Sequence, residues 1–234
     1  MISAVILAGG LATRLRPLTE TIPKSLIIIN DEPFIDHQLR LLQQQGLRKI
    51  VLCVGRLGEL IEQHVGNGAR YGLQVQYSWD DESAQTRLLG TAGAVKKALP
   101  LLGDQFFVLY GDSYLNCDYA AVAAAFHASQ QTGLMTVFHN NGQWDSSNIA
   151  FQAGKIIAYD KINRTPSMQY IDYGLGVFAS AAFDSVPAHT FYDLAMVYQT
   201  LLQQRQLAAY EVTQRFYEIG SFTGIQELEY YLAQ

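Results

Sequence analysis

The chain has 234 residues, of which 49% are apolar and 16% charged, with a formal net charge of −5. This length and apolar content suffice for a buried core and exclude a disordered chain. The negative charge and the lack of a basic run in the sequence exclude the electrostatic footprint of a protein that binds nucleic acid or an anionic membrane. No apolar run in the sequence approaches the roughly 18 residues needed to span a bilayer. We therefore expect one cytoplasmic domain over residues 1–234.

An apolar run at 5–8 predicts a buried strand, and a glycine-rich turn follows it directly. Small residues such as Gly9 and Gly10 let backbone N–H groups approach a phosphate, and Arg14 and Lys24 add positive charge. A tight turn without a ligand would not require these cations. The Walker A pattern and the dinucleotide fingerprint are both missing from the sequence, which argues against an ATPase and a dehydrogenase. The segment predicts a nucleotide-phosphate site of another kind.

Strand-like and helical patterns alternate through the first half of the chain. This alternation is typical of βαβ units, so we predict an α/β fold with a Rossmann-like, mixed and mostly parallel sheet flanked by helices. Strands are predicted at 5–8, 49–54, 73–79 and 106–110, and helices at 34–45, 91–99 and 120–130. Gly46 is expected to end the first helix in a left-handed conformation.

Short alternating runs dominate after residue 134 and predict a smaller subregion inserted on the same core. Strands are predicted at 134–139, 148–151, 156–159, 169–178, 207–212 and 215–219, and helices at 191–204 and 223–232. The sequence 140–142, Asn-Asn-Gly, predicts a turn.

The apolar run 106–110 ends at Gly111 and Asp112, which places a carboxylate at the carboxyl end of a buried strand. Open α/β sheets bind ligands at this edge. Mg²⁺ accepts one or two carboxylates together with phosphate oxygens, so Asp112 is the first candidate metal ligand. The alternative is a turn residue or a helix cap near Asp118.

The motifs resemble those of a known enzyme family. Residues 8–19 read A-G-G-L-A-T-R-L-R-P-L-T and residues 23–25 read P-K-S, which is similar to the signature G-G-x-G-T-R-L-x-P-L-T…P-K of sugar-1-phosphate nucleotidyltransferases. Segments 89–93, 111–112, 160–161 and 217–221 match in the same order. The pattern is nearest to heptose and mannose 1-phosphate guanylyltransferases. Ala12 replaces a usual Gly, and we expect it to shift the loop only slightly; a β-helix tail of hexapeptide repeats is not expected.

The resemblance implies the reaction and the roles of individual residues. A nucleoside monophosphate would pass from an NTP, preferably GTP, to a heptose or mannose 1-phosphate with Mg²⁺ as cofactor, in nucleotide-sugar and polysaccharide biosynthesis. Arg14 and Lys24 would bind the triphosphate and Lys161 the sugar phosphate, all as catalytic cations. The implied nucleotide-binding residues are Leu7, Ala8, Gly9, Gly10, Thr13, Gly90, Thr91 and Gly111. The implied sugar-phosphate residues are Asn148, Asp160, Lys161, Asp172 and Gly174, which makes the smaller inserted subregion the sugar-side subregion. The implied metal ligands are Asp112 and Glu218.

Several alternatives stay open. Glu218 and Asp160 depart from the family's usual Asp and Glu, and Thr91 could serve as the cap of its own helix. The donor could be UTP or CTP, with another sugar phosphate or an alcohol phosphate such as phosphocholine. A different class is a catalytically silent, sugar-nucleotide-binding regulatory subunit. A homo-oligomer is also open.

Overall fold

The computed structural model describes residues 2–10, 13–80 and 89–234. The strands are β1 (Ser3–Leu7), β2 (Ile28–Ile29), β3 (Glu32–Pro33), β4 (Lys49–Val54), β5 (Gln74–Trp79), β6 (Gln105–Tyr110), β7 (Ser113–Tyr114), β8 (Gly133–His139), β9 (Ile149–Gln152), β10 (Lys155–Tyr159), β11 (Tyr170–Ala179), β12 (Leu207–Val212) and β13 (Tyr217–Glu218). The helices are α1 (Phe34–Gln44), α2 (Gly58–Val65), α3 (Gly90–Ala98), α4 (Tyr119–Ser129), α5 (Leu194–Gln203) and α6 (Phe222–Leu232). No helix among these residues is both long and apolar enough to cross a membrane.

A nine-stranded mixed sheet forms the centre of the described chain, with the strand order β10-β9-β11-β6-β1-β4-β5. Strand β8 pairs with β11 and carries β12 on its other side. The neighbours β6, β1, β4 and β5 are parallel, whereas β11 is antiparallel to β6. The predicted α/β fold is confirmed. The strands predicted for the sugar-side subregion extend this same sheet.

The sheet is covered on both faces because its central strand is apolar on both. Ala4 and Ile6 of β1 pack with Ile35 and Leu39 of α1, whereas Val5 packs on the opposite face with residues of α3. Successive side chains of a strand point to opposite faces, so an uninterrupted apolar run requires two covering layers. The sequence prediction of a buried parallel strand is confirmed for β1.

Most predicted helices and strands are present. The differences between prediction and structure, one unpredicted helix, one shortened strand and one shifted helix start, have local causes. Helix α2 was not predicted: it is only eight residues long and follows Leu57 in a left-handed conformation, with no side chain capping its start. The strand predicted at 215–219 is reduced to the two residues of β13, which pair with β7. Helix α5 begins at Leu194 because the Asp193 side chain caps it, accepting a hydrogen bond from Ala195 N at 2.7 Å.

Candidate active site

A cleft lies at the carboxyl edge of the four parallel strands. The chain leaves β1, β4, β5 and β6 at this edge, so the segments that follow these strands converge. The cleft has a volume of about 290 Å³. Its lining residues are Leu7, Ala8, Gly9, Gly10, Lys24, Ser25, Cys53, Asp80, Gly90, Thr91, Ala94, Tyr110, Gly111, Asp112, Phe191 and Asp193.

The glycine-rich turn forms one wall of this cleft. Ala8 N donates to Cys53 O at 2.9 Å, which fixes the turn against the end of β4. Thr13 lies in a short 3₁₀ helix, Thr13–Leu15. Leu11 and Ala12 lie outside the described residues, so the expectation that Ala12 shifts the loop slightly stays a prediction.

The predicted phosphate cations and metal ligands lie together beside the cleft. Lys24 Nζ is 2.9 Å from Asp112 Oδ2. A Cβ built on Gly220 would lie 3.0 Å from Arg14 Nη2 and 3.4 Å from Lys24 Nζ. The Glu218 carboxylate accepts hydrogen bonds from the same Gly220 N and from Ser221 Oγ. The structure thus groups two cations and two carboxylates that are separated by up to about two hundred residues of sequence.

Backbone pairing between β7 and β13 brings the two carboxylates to one edge. Glu218 is opposite Ser113, and Ile219 N donates to Asp112 O at 2.9 Å. Carboxylate oxygens are hard donors that suit Mg²⁺, which completes its shell with phosphate and water oxygens. No group of three or more His, Cys, Asp or Glu with metal-binding geometry exists within residues 2–10, 13–80 and 89–234. The two acids fit a metal that substrate phosphates help to hold.

The segment at 89–93 packs against the loop before α5. Gly90 has φ +70°, and a Cβ there would lie 2.6 Å from Tyr192 O, so both the conformation and the space require glycine. Helix α3 begins at Gly90, and Thr91 Oγ1 accepts a hydrogen bond from Leu194 N at 2.7 Å. The alternative that Thr91 caps its own helix is wrong: its hydroxyl binds the first turn of α5 while it lines the cleft.

The predicted sugar-side segments meet at Asn148. Asn148 Oδ1 accepts from Asp172 N at 3.2 Å, and Asn148 O accepts from Asp160 N at 3.0 Å. The Asp160 carboxylate closes a turn by accepting from the backbone N–H groups of Asn163 and Ile162, and these bonds lower its pKa. Asp160 therefore has a structural function in this turn.

Asp172 is half-buried, and its carboxylate lies in the electric field of Lys161. Burial raises the pKa of Asp172, while the positive charge of Lys161 and a hydrogen bond from Gly174 N at 3.0 Å oppose that rise. Lys161 Nζ lies 3.8 Å from Asp193 Oδ1, and Asp193 lines the cleft. The five predicted sugar-phosphate residues are absent from the lining of the 290 Å³ cleft and connect to it through Asp193.

The sequence reasoning missed several cleft residues, among them Asp80, Ser25 and Asp193. Asp80 directly follows a predicted strand, the same signal that identified Asp112. Ser25 follows Lys24, and its buried hydroxyl has no hydrogen-bond partner among the described residues. Asp193 could have been found as the cap of a predicted helix.

Comparison with known proteins decides the family. The sequence profile of the nucleotidyl transferase family matches residues 3–148. The chain belongs to this family. The N-acetylmuramate alpha-1-phosphate uridylyltransferase of Neisseria meningitidis is 29% identical to this nucleotidyltransferase over 97% of the chain and 96% of the relative. The D-glycero-alpha-D-manno-heptose 1-phosphate guanylyltransferase of Campylobacter jejuni is 35% identical over 49% of each protein.

A solved structure supports the fold. A Bacillus anthracis protein in complex with sucrose superimposes with a TM-score of 0.86 at 20% identity, covering 99% of this nucleotidyltransferase and 95% of that protein. The prediction of a sugar-1-phosphate nucleotidyltransferase is confirmed. The names of the relatives differ in nucleotide and in sugar.

Proposed function

We propose that this nucleotidyltransferase transfers GMP from GTP to a heptose or mannose 1-phosphate, forming a GDP-sugar and pyrophosphate. The observation that carries the proposal is the grouping of Arg14, Lys24, Asp112 and Glu218 beside a cleft with a glycine-rich wall. This set supplies positive charge, backbone donors and metal-binding oxygens at one place. A pure sensor of sugar nucleotides would not require all three.

The proposed reaction joins two anions. An oxygen of the sugar phosphate attacks the α-phosphorus of GTP and forms a new phosphorus–oxygen bond. The bond from that phosphorus to the bridging oxygen breaks, and pyrophosphate leaves with the electron pair. Two unit charges 4 Å apart repel by about 4 kcal/mol at an effective dielectric constant of 20, so the site must supply positive charge. Arg14 and Lys24 would neutralise the triphosphate, and rigid positioning would supply much of the remaining acceleration.

We further propose that Asp112 and Glu218 hold Mg²⁺. Such an ion would neutralise phosphate charge and help to orient the reacting oxygens. Asp112 Oδ2 is engaged by Lys24, and Glu218 by its own turn. Both carboxylates would therefore exchange these internal partners when metal and triphosphate bind, which leaves the Lys24 ammonium available for a phosphate.

The sugar phosphate would approach from the side of Asp193. Lys161 is the predicted cation there, and its contact with Asp193 Oδ1 at 3.8 Å holds it near the cleft. Asp172 and Asn148, which share a hydrogen bond at 3.2 Å, would shape the sugar pocket with Gly174. A half-buried carboxylate such as that of Asp172 can accept hydrogen bonds from sugar hydroxyls.

The relatives support two donors. The similarity to the heptose guanylyltransferase of Campylobacter jejuni, 35% identity over half of the chain, supports GTP and a heptose phosphate as the substrates. The similarity to the uridylyltransferase of Neisseria meningitidis extends over 97% of the chain. It supports UTP and an N-acetylmuramate phosphate as the second candidate pair of substrates.

A substrate matrix tests the proposal. Pyrophosphate release would be followed with each of GTP, UTP, CTP and dTTP against the 1-phosphates of heptose, mannose, N-acetylmuramate and glucose, with Mg²⁺ present. We expect the highest kcat/KM with GTP and a heptose or mannose phosphate, and loss of turnover in Asp112→Asn. Dominant turnover with UTP and N-acetylmuramate 1-phosphate would replace the GTP assignment. Nucleotide-sugar binding without turnover for any pair would favour the regulatory subunit.

A further inference from the structure

Gln38 is a polar residue on the buried face of α1. Ile35, Leu39 and Leu42 of this helix belong to the core, and Gln38 shares their face because it lies three residues after Ile35 and four before Leu42. Gln38 is only 1% exposed, and its Oε1 has no hydrogen-bond partner among the described residues. A buried acceptor without a partner costs stability, so packing alone would favour an apolar residue at this position.

The amide of Gln38 spans the turn that carries Asp112. Gln38 Nε2 donates to Tyr110 O at 3.0 Å and to Ser113 O at 2.9 Å. Both acceptors are backbone carbonyl oxygens, which fixes the orientation of the amide because they would repel its Oε1. One side chain therefore holds the two residues that flank Gly111 and Asp112.

The same amide is linked to the second predicted metal ligand. Ser113 lies opposite Glu218 in the pairing of β7 with β13, and Ile219 N donates to Asp112 O at 2.9 Å. Gln38 thus anchors β7 at the residue that follows one predicted ligand and faces the other. Because β7 has only two residues, few backbone hydrogen bonds hold it in place, and an anchor from α1 matters correspondingly more.

We propose that Gln38 is a positioning residue that sets the geometry of the Mg²⁺ site by fixing the turn of Asp112. This inference rests on the metal site of the proposed function. Mg²⁺ demands near-ideal octahedral geometry, so a displaced carboxylate weakens its binding, whereas Ca²⁺ takes more ligands in a flexible geometry and tolerates the displacement. Removing a group that orients a metal ligand costs about 10-fold to 100-fold in metal affinity.

The nucleotide affinity gained from each metal ion measures this geometry. Calorimetry without sugar phosphate would give the Kd for GTP, or for UTP should that be the better donor, in EDTA, in Mg²⁺ and in Ca²⁺. We expect Gln38→Met, which keeps the side-chain length but donates no hydrogen bond, to reduce the gain from Mg²⁺ by about 10-fold. The gain from Ca²⁺ and the Kd in EDTA should change by less than about 2-fold. Asp112→Asn should reduce both gains, because it removes a ligand instead of displacing one.

Gln44→Met is the matched control, because it makes the same change at an exposed position of the same helix and should leave all three Kd values unchanged. Thermal unfolding of each variant checks that it is folded, and Gln38→Leu repeats the test with a side chain of different shape. An unchanged Mg²⁺ gain, an equal loss of both gains, or failure of both Gln38 variants to fold overturns the inference alone. A parent protein that gains no affinity from Mg²⁺ overturns the proposed metal site, and the inference with it.

Discussion

Lys161 is the residue whose predicted function depends most on its neighbours. Its ammonium lies 3.8 Å from Asp193 Oδ1, and its charge also opposes the raised pKa of Asp172. Removing a charged contact to a phosphate costs about 10-fold to 100-fold in affinity. We expect Lys161→Ala to raise the KM for the sugar phosphate by that factor and to change the KM for the NTP much less.

Initial-rate kinetics with each substrate varied in turn measures the two effects. Lys155→Ala is the matched control, because Lys155 is an exposed lysine at the start of β10. It should leave both KM values unchanged. Equal increases in the two KM values for Lys161→Ala would show that the lysine does not act on the sugar phosphate specifically. This result would contradict its assignment to the sugar phosphate.

Single residues also show which parts of the candidate site the sequence could predict. Lys24 and Asp112 were recognised because each belongs to a short motif, and the structure places them 2.9 Å apart. Asp80 and Asp193 belong to no such motif. Their positions after a predicted strand and before a predicted helix are visible in the sequence, but these positions do not show that both side chains reach one cleft. A short motif identifies functional residues that are close together in the sequence. Which distant side chains meet in one cleft depends on the completed sheet.

Among the elements, the contact between β1 and β6 determines where Asp112 lies. Gly111 N donates to Leu7 O at 3.0 Å, and a Cβ on Gly111 would lie 2.8 Å from Leu7 O and 2.9 Å from Ala8 Cα. Both of those neighbours are backbone atoms, which cannot move aside as a side chain can. We expect Gly111→Ala to lower the free energy of unfolding by about 1–3 kcal/mol and to reduce kcat by displacing Asp112.

Urea unfolding of the variants tests this expectation. Gly103→Ala serves as the control, because a Cβ at Gly103 would meet no atom within 4 Å. That change should be neutral or stabilise by up to about 1 kcal/mol through the entropy of the unfolded chain. Equal free energies of unfolding for the two variants would show that β1 and β6 can move apart at position 111 without loss of stability. The close contact between these strands would then not be what positions Asp112.

Elements with strong patterns were predictable, and weakly patterned ones were not. Strands β4 and β12 were predicted with the observed bounds because apolar runs mark them, and Gly46 at φ +85° ends α1 as expected. Strands β7 and β13 have two residues each, too few for any periodicity. These short strands nevertheless join the two predicted metal ligands. Tertiary pairing, not local propensity, creates that part of the site.

At the scale of the whole molecule, one sheet joins the predicted nucleotide side to the predicted sugar side. The antiparallel pairing of β11 with β6 brings Asp172 and Gly174 near the end of β6, two residues before Asp112. Burial and, after it, the negative charge of the half-buried Asp172 raise the pKa of Tyr110. A carboxylate in this position costs stability, because burial penalises its charged form. Such a cost is expected where binding requires the group.

The sign of this cost gives a prediction for the stability of the whole protein. The pKa of Asp172 is raised in the folded state above its ordinary value of 3.8. The folded chain therefore holds that proton more tightly than the unfolded chain, and the penalty is complete above the raised pKa and relieved as pH falls through it. We expect Asp172→Asn to raise the Tm at neutral pH and the gain to shrink on acidification towards 3.8.

Thermal unfolding of parent and variant across this pH range measures the difference, with Asp104→Asn as the exposed control. The asparagine Oδ1 can still accept the hydrogen bond from Gly174 N, so that the variant removes the charge and keeps the local geometry. A gain that grows on acidification would mean that Lys161 stabilises the folded state through an ionised Asp172. A gain at neutral pH together with weaker use of the sugar phosphate would instead show that this half-buried charge is kept for binding.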